Sequence, residues 1–293
     1  MSNSEITKLV GPTDTGAVPA INLYLRADTI LQMTARLWFV AAVIGQWMFV
    51  AFIVSFYGGA AISGDFERWN KITEKAGIGN EIPHGYVTGD LIGNLMVGMH
   101  LLMAAIIIFG LPLQLIPQIR NQAPAFHRWN GRAILISGFV ILGAGLYLIF
   151  ARGSVSGAYF MAGNIINAGL IALSGVMALR YALIRDFGAH YRWALRLFVL
   201  VNGVWFMRIG FFFWFMINGG SVGHNKTFTG PFDIFIAFAH TLLPVLILEI
   251  YLRIKKRGTV TGKLATAISL FFITLAMGAG TFGISAAIWI PNL

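Results

Sequence analysis

Cysteine is absent from the 293 residues, so disulfide, thiol and thiolate–metal chemistry are excluded from the start. Charge is scarce as well. Asp, Glu, Lys and Arg make up 11% of the chain, whereas a soluble domain is normally about a quarter charged because its core needs a polar shell. Acidic residues are the scarcest, 11 against 21 Lys and Arg, for a formal charge of +10. With 57% hydrophobic residues and a mean hydropathy of +0.76, the few charges cannot coat a globule of this size. A soluble enzyme and a disordered chain are both excluded. Motifs are missing too: there is no P-loop, no dinucleotide fingerprint, no Ser/His/Asp pattern and no pair of carboxylates inside an apolar run. Nucleotide hydrolysis and the familiar kinds of membrane proteolysis lack their residues. Whether the chain is an enzyme stays open at this level.

The N-terminus lacks a short apolar core followed by a small-residue cleavage site, and it carries Lys8, Asp14, Arg26 and Asp28. It does not read as a signal peptide, so the first apolar segment is expected to stay in the bilayer as an uncleaved span. Residues 1–30 read as a polar tail and 31–293 as one membrane domain.

Long apolar runs are what the chain does have. About 20 apolar residues cross the hydrocarbon layer as a helix, and seven stretches qualify: 37–58, 91–116, 132–152, 158–180, 193–217, 232–253 and 264–290. Breakers stand between them: Pro117 and Pro124, the Arg152-Gly153-Ser154 step, Asn218-Gly219-Gly220, and Pro231 at a helix start. Pro112 and Pro244 fall inside spans, where proline kinks a helix. No run alternates polar and apolar residues as a membrane strand does. The expected fold is all-α, a polytopic protein of seven transmembrane helices with the lipid bilayer as its first partner.

Sorted by span, 15 Lys and Arg fall on the side of the N-terminus and 5 on the other, with Arg208 inside a span. The positive-inside rule then puts the N-terminus in the cytoplasm and the C-terminus outside. The +10 is thereby read as a sidedness signal, and no nucleic-acid partner is inferred. The longest outer loop, 59–90, holds Phe66, Trp69, Ile78, Ile82 and Tyr86, enough apolar surface to fold as a small cap.

The span map also sorts the six histidines. His84 and His224 fall in outer loops. His100 lies about ten residues into the second span and His240 about nine into the sixth, so both imidazoles sit at similar depth in the outer half of the bilayer. His127 and His190 both stand just before spans that start at the inner face. A bis-histidine haem takes one imidazole from each side of its iron, from facing helices at matched depth. Two haem b groups, one per leaflet, would stand on the order of 20 Å apart by helix rise. Plainer readings stand beside this one. Histidine with arginine and tryptophan at a helix start also anchors a span in headgroups, and His100 or His240 could hydrogen-bond a neighbouring helix.

Arg208 is about nine residues from the outer end of the fifth span, at the depth of His100 and His240. An intramembrane arginine needs a counter-charge, and no span carries an acid at that level. A haem propionate or an anionic substrate would supply it; a bond to backbone carbonyls, or snorkelling through Asn218, is the alternative. Asn94, Asn164, Asn167 and Asn202 read as interhelical hydrogen-bond partners.

The run from Gly93 to Glu249 resembles a bacterial family of predicted membrane proteins known as domain of unknown function 2306. The resemblance rests on His100, on His127-Arg128-Trp129-Asn130-Gly131-Arg132, on Arg185-Asp186 leading to His190-Tyr191-Arg192-Trp193, and on Arg208 and Glu249. It departs from the family at Tyr191 and Ala194. It implies a multi-pass protein of the bacterial cytoplasmic membrane and no particular activity. A looser, architectural likeness to the transmembrane di-haem cytochromes b implies haem b and electron transfer. The expected cofactors are therefore one or two haem b, on His100 with His240 and on His127 with His190, with Arg208 serving propionates; a quinone or a redox partner would exchange electrons. Two other functions compete: a non-catalytic accessory subunit packing pigment, quinone or lipid in a larger membrane complex, and a transporter.

Overall fold

The structure is a computed structural model that describes residues 17–71, 85–153 and 157–293, with side chains from residue 21 onward. Lys8, Asp14, Lys75, Ile78, Ile82 and His84 lie outside the described residues. Among those described, every regular element is helical and none is a strand. The elements that matter are α1 (Ala17–Phe52), α2 (Leu91–Leu115), α3 (Pro124–Tyr147), α4 (Gly157–Leu183), α5 (Phe187–Val201), α6 (Gly203–Asn218), α7 (Pro231–Arg257) and α8 (Val260–Ile284). Six helices are long and apolar enough to cross a membrane, or seven if α5 and α6 count as one bent span. Prolines stand where helix starts tolerate them: Pro124 opens α3 and Pro231 opens α7.

Three boundaries differ from the hydropathy reading. The first helix starts at Ala17, well before the apolar run, and a π-helical turn at Ile53–Gly58 carries it on to Ser63. Hydropathy detects the greasy stretch of a helix and is blind to a polar turn that continues it. The last helix likewise runs through a π turn, Ser285–Trp289, to Asn292. The fifth span is broken: α5 and α6 meet at Asn202 with a bend of 49°. The cause is local. The Asn202 amide donates to the Phe198 carbonyl at 2.6 Å, competing for an acceptor that the backbone ladder would use.

The chain divides into two compact units. One comprises residues up to Ala41 with Glu249–Ala276; the other comprises Ala42–Leu248 with Met277–Leu293. The first unit is organised by an ion pair that unites residues far apart in sequence. The Lys263 ammonium, 1% exposed, donates to Asp28 and lies 3.9 Å from the Tyr24 ring centroid. Gln32 donates to the other Asp28 oxygen at 2.6 Å. Charge counting treats Lys263 as one of the basic residues at a membrane face, yet it is buried and paired.

In the second unit, α2 packs along α3 and α4 along α5. Its described connections fall on a loop side, with 59–71, 85–90 and 219–230, and a basic side, with 116–123 and 184–186. Both described ends of loop 59–90 fold against the helices. Trp69 is buried and donates to the Tyr57 carbonyl at 3.1 Å. Phe66 stacks on Tyr86 at 5.6 Å, and the Asn70 side chain bonds the Tyr86 backbone in both directions.

A second tie on the loop side centres on Arg152. Its guanidinium donates to Asp90 and Asn94 at 2.8 Å and to the Gly85 carbonyl at 2.9 Å. Asp90 also caps α2 by accepting from the Gly93 N–H at 2.8 Å. That N–H bond first, and the arginine second, hold the Asp90 carboxyl below its usual pKa of 3.8. A depressed folded-state pKa means stabilisation that is present above the unfolded value and lost as pH falls through the folded one. Asp90→Ala is expected to lower the thermal midpoint near neutral pH. In thermal scans across pH the difference from the parent should shrink below about pH 4, as the parent's own carboxylate protonates.

Candidate functional site

The inner pair is built from two similar helix starts. In each, a tryptophan is followed three residues later by an arginine that stacks on it: Arg132 over Trp129 at 4.8 Å, and Arg196 over Trp193 at 4.5 Å. Such a pair, with Trp129 68% exposed, is how a helix end seats in a membrane interface. The histidines of the same segments behave differently. His190 is half-buried, and its Nδ1 lies 2.9 Å from the Ala178 carbonyl of α4. A carbonyl can only accept, so Nδ1 carries the proton and Nε2 the lone pair. The His127 Nδ1 is buried with no hydrogen-bond partner. The two rings lie close enough for their charges to interact, and Arg120 and Arg128 act on His127 as well. Gln114 on α2 donates to the His127 carbonyl at 3.1 Å. It also lines an open cleft with Leu115, Ile116, Pro117, Arg120 and Tyr191. The segments thus divide by side chain: arginine stacks on tryptophan, while the His190 and His127 rings are half-buried.

The members of the outer pair have different surroundings. The half-buried His100 ring packs on α3, with Cε1 and Nδ1 3.5 and 3.6 Å from the position a Gly145 Cβ would take. The Ile141 backbone and the Arg208 charge are its other neighbours. His240 on α7 is 2% exposed and packs against α4 and the α5–α6 break. Its Nδ1 lies 3.1 Å from the Thr241 hydroxyl, the backbone of Gly203 and Ala237 is in hydrogen-bonding range of the ring, and Nε2 has no partner.

Arg208 stands on α6 between these regions. It donates to the Val204 carbonyl at 3.3 Å, its guanidinium carbon lies 5.1 Å from the Phe49 ring centroid, and Tyr57 is nearby. Among the described residues no carboxylate pairs with it. A backbone carbonyl and an aromatic face take part of its charge. Asn218, the other expected partner, donates to Trp214 instead.

Hydropathy reading undervalued several groups. Asn94 ties the loop, bonding the Val87 backbone both ways as well as Arg152. His224, placed in an outer loop, pairs with the fully buried Asp233 at 2.6 Å. Asn167 and Asn202 do not simply bridge helices: each keeps a buried side-chain oxygen unpartnered. The signal available in sequence was Asn202-Gly203 in mid-span, a polar residue beside the one residue without a side chain. No protein-family model, curated protein or solved structure matches the chain.

Proposed function

We propose that this chain is a membrane electron-transfer protein that binds haem b between His127 and His190. The observation that carries the reading is the Ala178 carbonyl on His190 Nδ1. A backbone acceptor on one ring nitrogen is the usual support for an imidazole whose other nitrogen ligates a metal, because it sets the tautomer and the ring orientation. The interacting His127, whose buried Nδ1 has no partner, supplies the second imidazole. Bound there, haem would supply one-electron redox chemistry with two axial imidazoles. The protein's part is to hold the rings from two helix starts, to offer the Arg120 guanidinium of the adjoining cleft to a propionate, and to leave that cleft open to a quinone or a redox partner. Of the two pairs suggested by depth, the inner one is the better supported. The packing of His240 against Gly203 and Asn167 leaves no room for haem. The proposal includes the resemblance to the family of unknown function, a cytoplasmic N-terminus, an outer C-terminus and a bacterial cytoplasmic membrane, on the strength of the 15-to-5 basic asymmetry.

The test is spectroscopic. Protein purified in detergent after haem-replete expression should give a reduced-minus-oxidised spectrum with the sharp α and β bands of a bis-imidazole haem. Pyridine extraction should return about one haem per chain. His127→Ala and His190→Ala should each abolish the bands, while His100→Ala keeps them. A parent protein without Soret absorbance overturns the reading.

A further inference from the structure

The first compact unit carries a concentration of exposed charge. Its described segments, 17–41 and 249–276, contain seven Lys and Arg against two carboxylates. One of those carboxylates, Asp28, is taken by the buried Lys263. The six remaining cations, Arg26, Arg36, Arg253, Lys255, Lys256 and Arg257, are all exposed, and Glu249 is the other acid.

Two helices bring these cations together. The Lys255 charge acts on Asp28 of α1, and Tyr251 of α7 feels both Asp28 and Arg36. The end of α7 therefore runs beside residues 28–36 of α1, and its last turn holds Lys255, Lys256 and Arg257. Cations there complement the negative end of the helix dipole. Four within five residues nevertheless exceed what a dipole of about half a charge can use. The Lys255 ammonium lies 5.6 Å from the Tyr251 ring centroid, which leaves Arg253, Lys256 and Arg257 as the outward-facing group.

On both helices the cations continue an apolar stripe. Arg26, Ile30, Met33 and Leu37 of α1 follow the four-three-four spacing that keeps to one helix face, and all four are exposed. Ile250, Arg253 and Arg257 of α7 share a face in the same way and are exposed as well. Along each helix the exposed face turns from hydrocarbon side chains to guanidinium groups. A phospholipid has the same profile, a phosphate above acyl chains. Nucleic acid or an acidic protein segment would meet the cations and leave the stripes bare to water, which the hydrophobic effect opposes. Clusters of Lys and Arg at the end of a membrane span attract anionic headgroups, each cation being worth about fivefold in affinity. We infer that this α1–α7 face binds anionic phospholipid, with phosphates on Arg26, Arg253, Lys256 and Arg257 and acyl chains along the stripe that begins at Ile30. The face does not depend on haem at His127 and His190.

The experiment follows the thermal unfolding of detergent-solubilised full-length protein titrated with phosphatidylglycerol or with phosphatidylcholine of the same acyl chains. Haem content is read in the same samples. A ligand that binds only the folded state raises the midpoint with concentration. Phosphatidylglycerol is expected to raise it by roughly 5 °C over phosphatidylcholine. About 0.5 M salt should remove most of that increment by screening. Inorganic phosphate at the same concentration should give none, which separates a lipid headgroup from a free ion. The triple variant Arg253→Gln, Lys256→Gln, Arg257→Gln should keep its midpoint in phosphatidylcholine. It should need roughly 100-fold more phosphatidylglycerol for half its response. Lys226→Gln, in loop 219–230, should respond as the parent does. The inference is overturned if the two lipids act alike on the parent at low salt, or if the triple variant responds as the parent does. Heparin matching phosphatidylglycerol would also overturn it, by assigning the face to a soluble polyanion. The lipid and salt comparisons on the parent decide the matter even where the triple variant fails to fold. A phosphatidylglycerol response in protein without haem bands would retain this face while removing the electron-transfer reading.

Discussion

Gly163→Ala is expected to lower the thermal midpoint by roughly 10 °C, or to leave little folded protein to measure. The added Cβ would meet the Ala237 carbonyl far inside ordinary van der Waals distance, with backbone on both sides of the contact. No rotamer change relieves a backbone clash, so α4 and α7 must separate. Overpacking of this kind costs about 1–3 kcal/mol when neighbours can yield, and here the neighbour is rigid. Membrane helices rely on such close approaches because lipid gives no hydrophobic drive to associate, which leaves packing and hydrogen bonds to hold them. The control is in the same helix. Gly169 has nothing within 4 Å of its Cβ position, and Gly169→Ala should match or slightly exceed the parent, since alanine is the better helix former. Fluorescence-detected size exclusion after heating, run on all three proteins, separates the two outcomes. Equal midpoints for the two variants would show that the α4–α7 contact does not limit stability.

Asp233→Ala should be nearly as costly. The carboxylate is completely buried at the start of α7 and organises loop 219–230. Its Oδ1 meets His224 at 2.6 Å, and its Oδ2 accepts from the Asn225 and Gly230 N–H groups at 3.1 and 3.0 Å. Removing it takes the acceptor from three donors, of which the Gly230 N–H is buried and the His224 and Asn225 groups are partly so. A buried donor left unpaired costs about 1–3 kcal/mol and the others less. A total of roughly 3 kcal/mol, or about 6–12 °C in midpoint, is the expected effect. His224→Ala removes one partner and should cost clearly less. Limited proteolysis gives a second readout, because the Asp233→Ala loop should be cut where the parent's resists. If the two variants unfold together, the backbone bonds to Asp233 contribute little and the histidine is the main partner.

Much of the architecture can be read along the chain because hydropathy and helix punctuation are local properties. The apolar runs recur as membrane-length helices, and Pro124, Pro231 and Gly219 stand at the ends where their backbone chemistry puts them. The expectation of matched histidine depths likewise uses rise per residue alone. The break at Asn202 is not legible in this way. One asparagine barely changes the hydropathy of a 25-residue window, and the event that bends the helix is a side chain taking a carbonyl four residues back.

Depth does not decide which groups meet. Four histidines at two levels are compatible with several pairings, and the choice depends on how each helix is rotated about its axis and which neighbour it packs on. Those rotations are set by contacts such as Gly163 with Ala237, and Gly145 with His100, between residues tens of positions apart. The pairing of Lys263 with Asp28, 235 residues away, is of the same kind, and it moves a cation from the basic rim to a buried pair. Hydrophobic length set the number and kind of elements, because each run must satisfy its own backbone inside the bilayer. Helix packing decided that His190 faces the Ala178 carbonyl, and that His240 lies beside Gly203 and Asn167 at a broken helix. No property summed along one segment specifies the face that another segment presents to it.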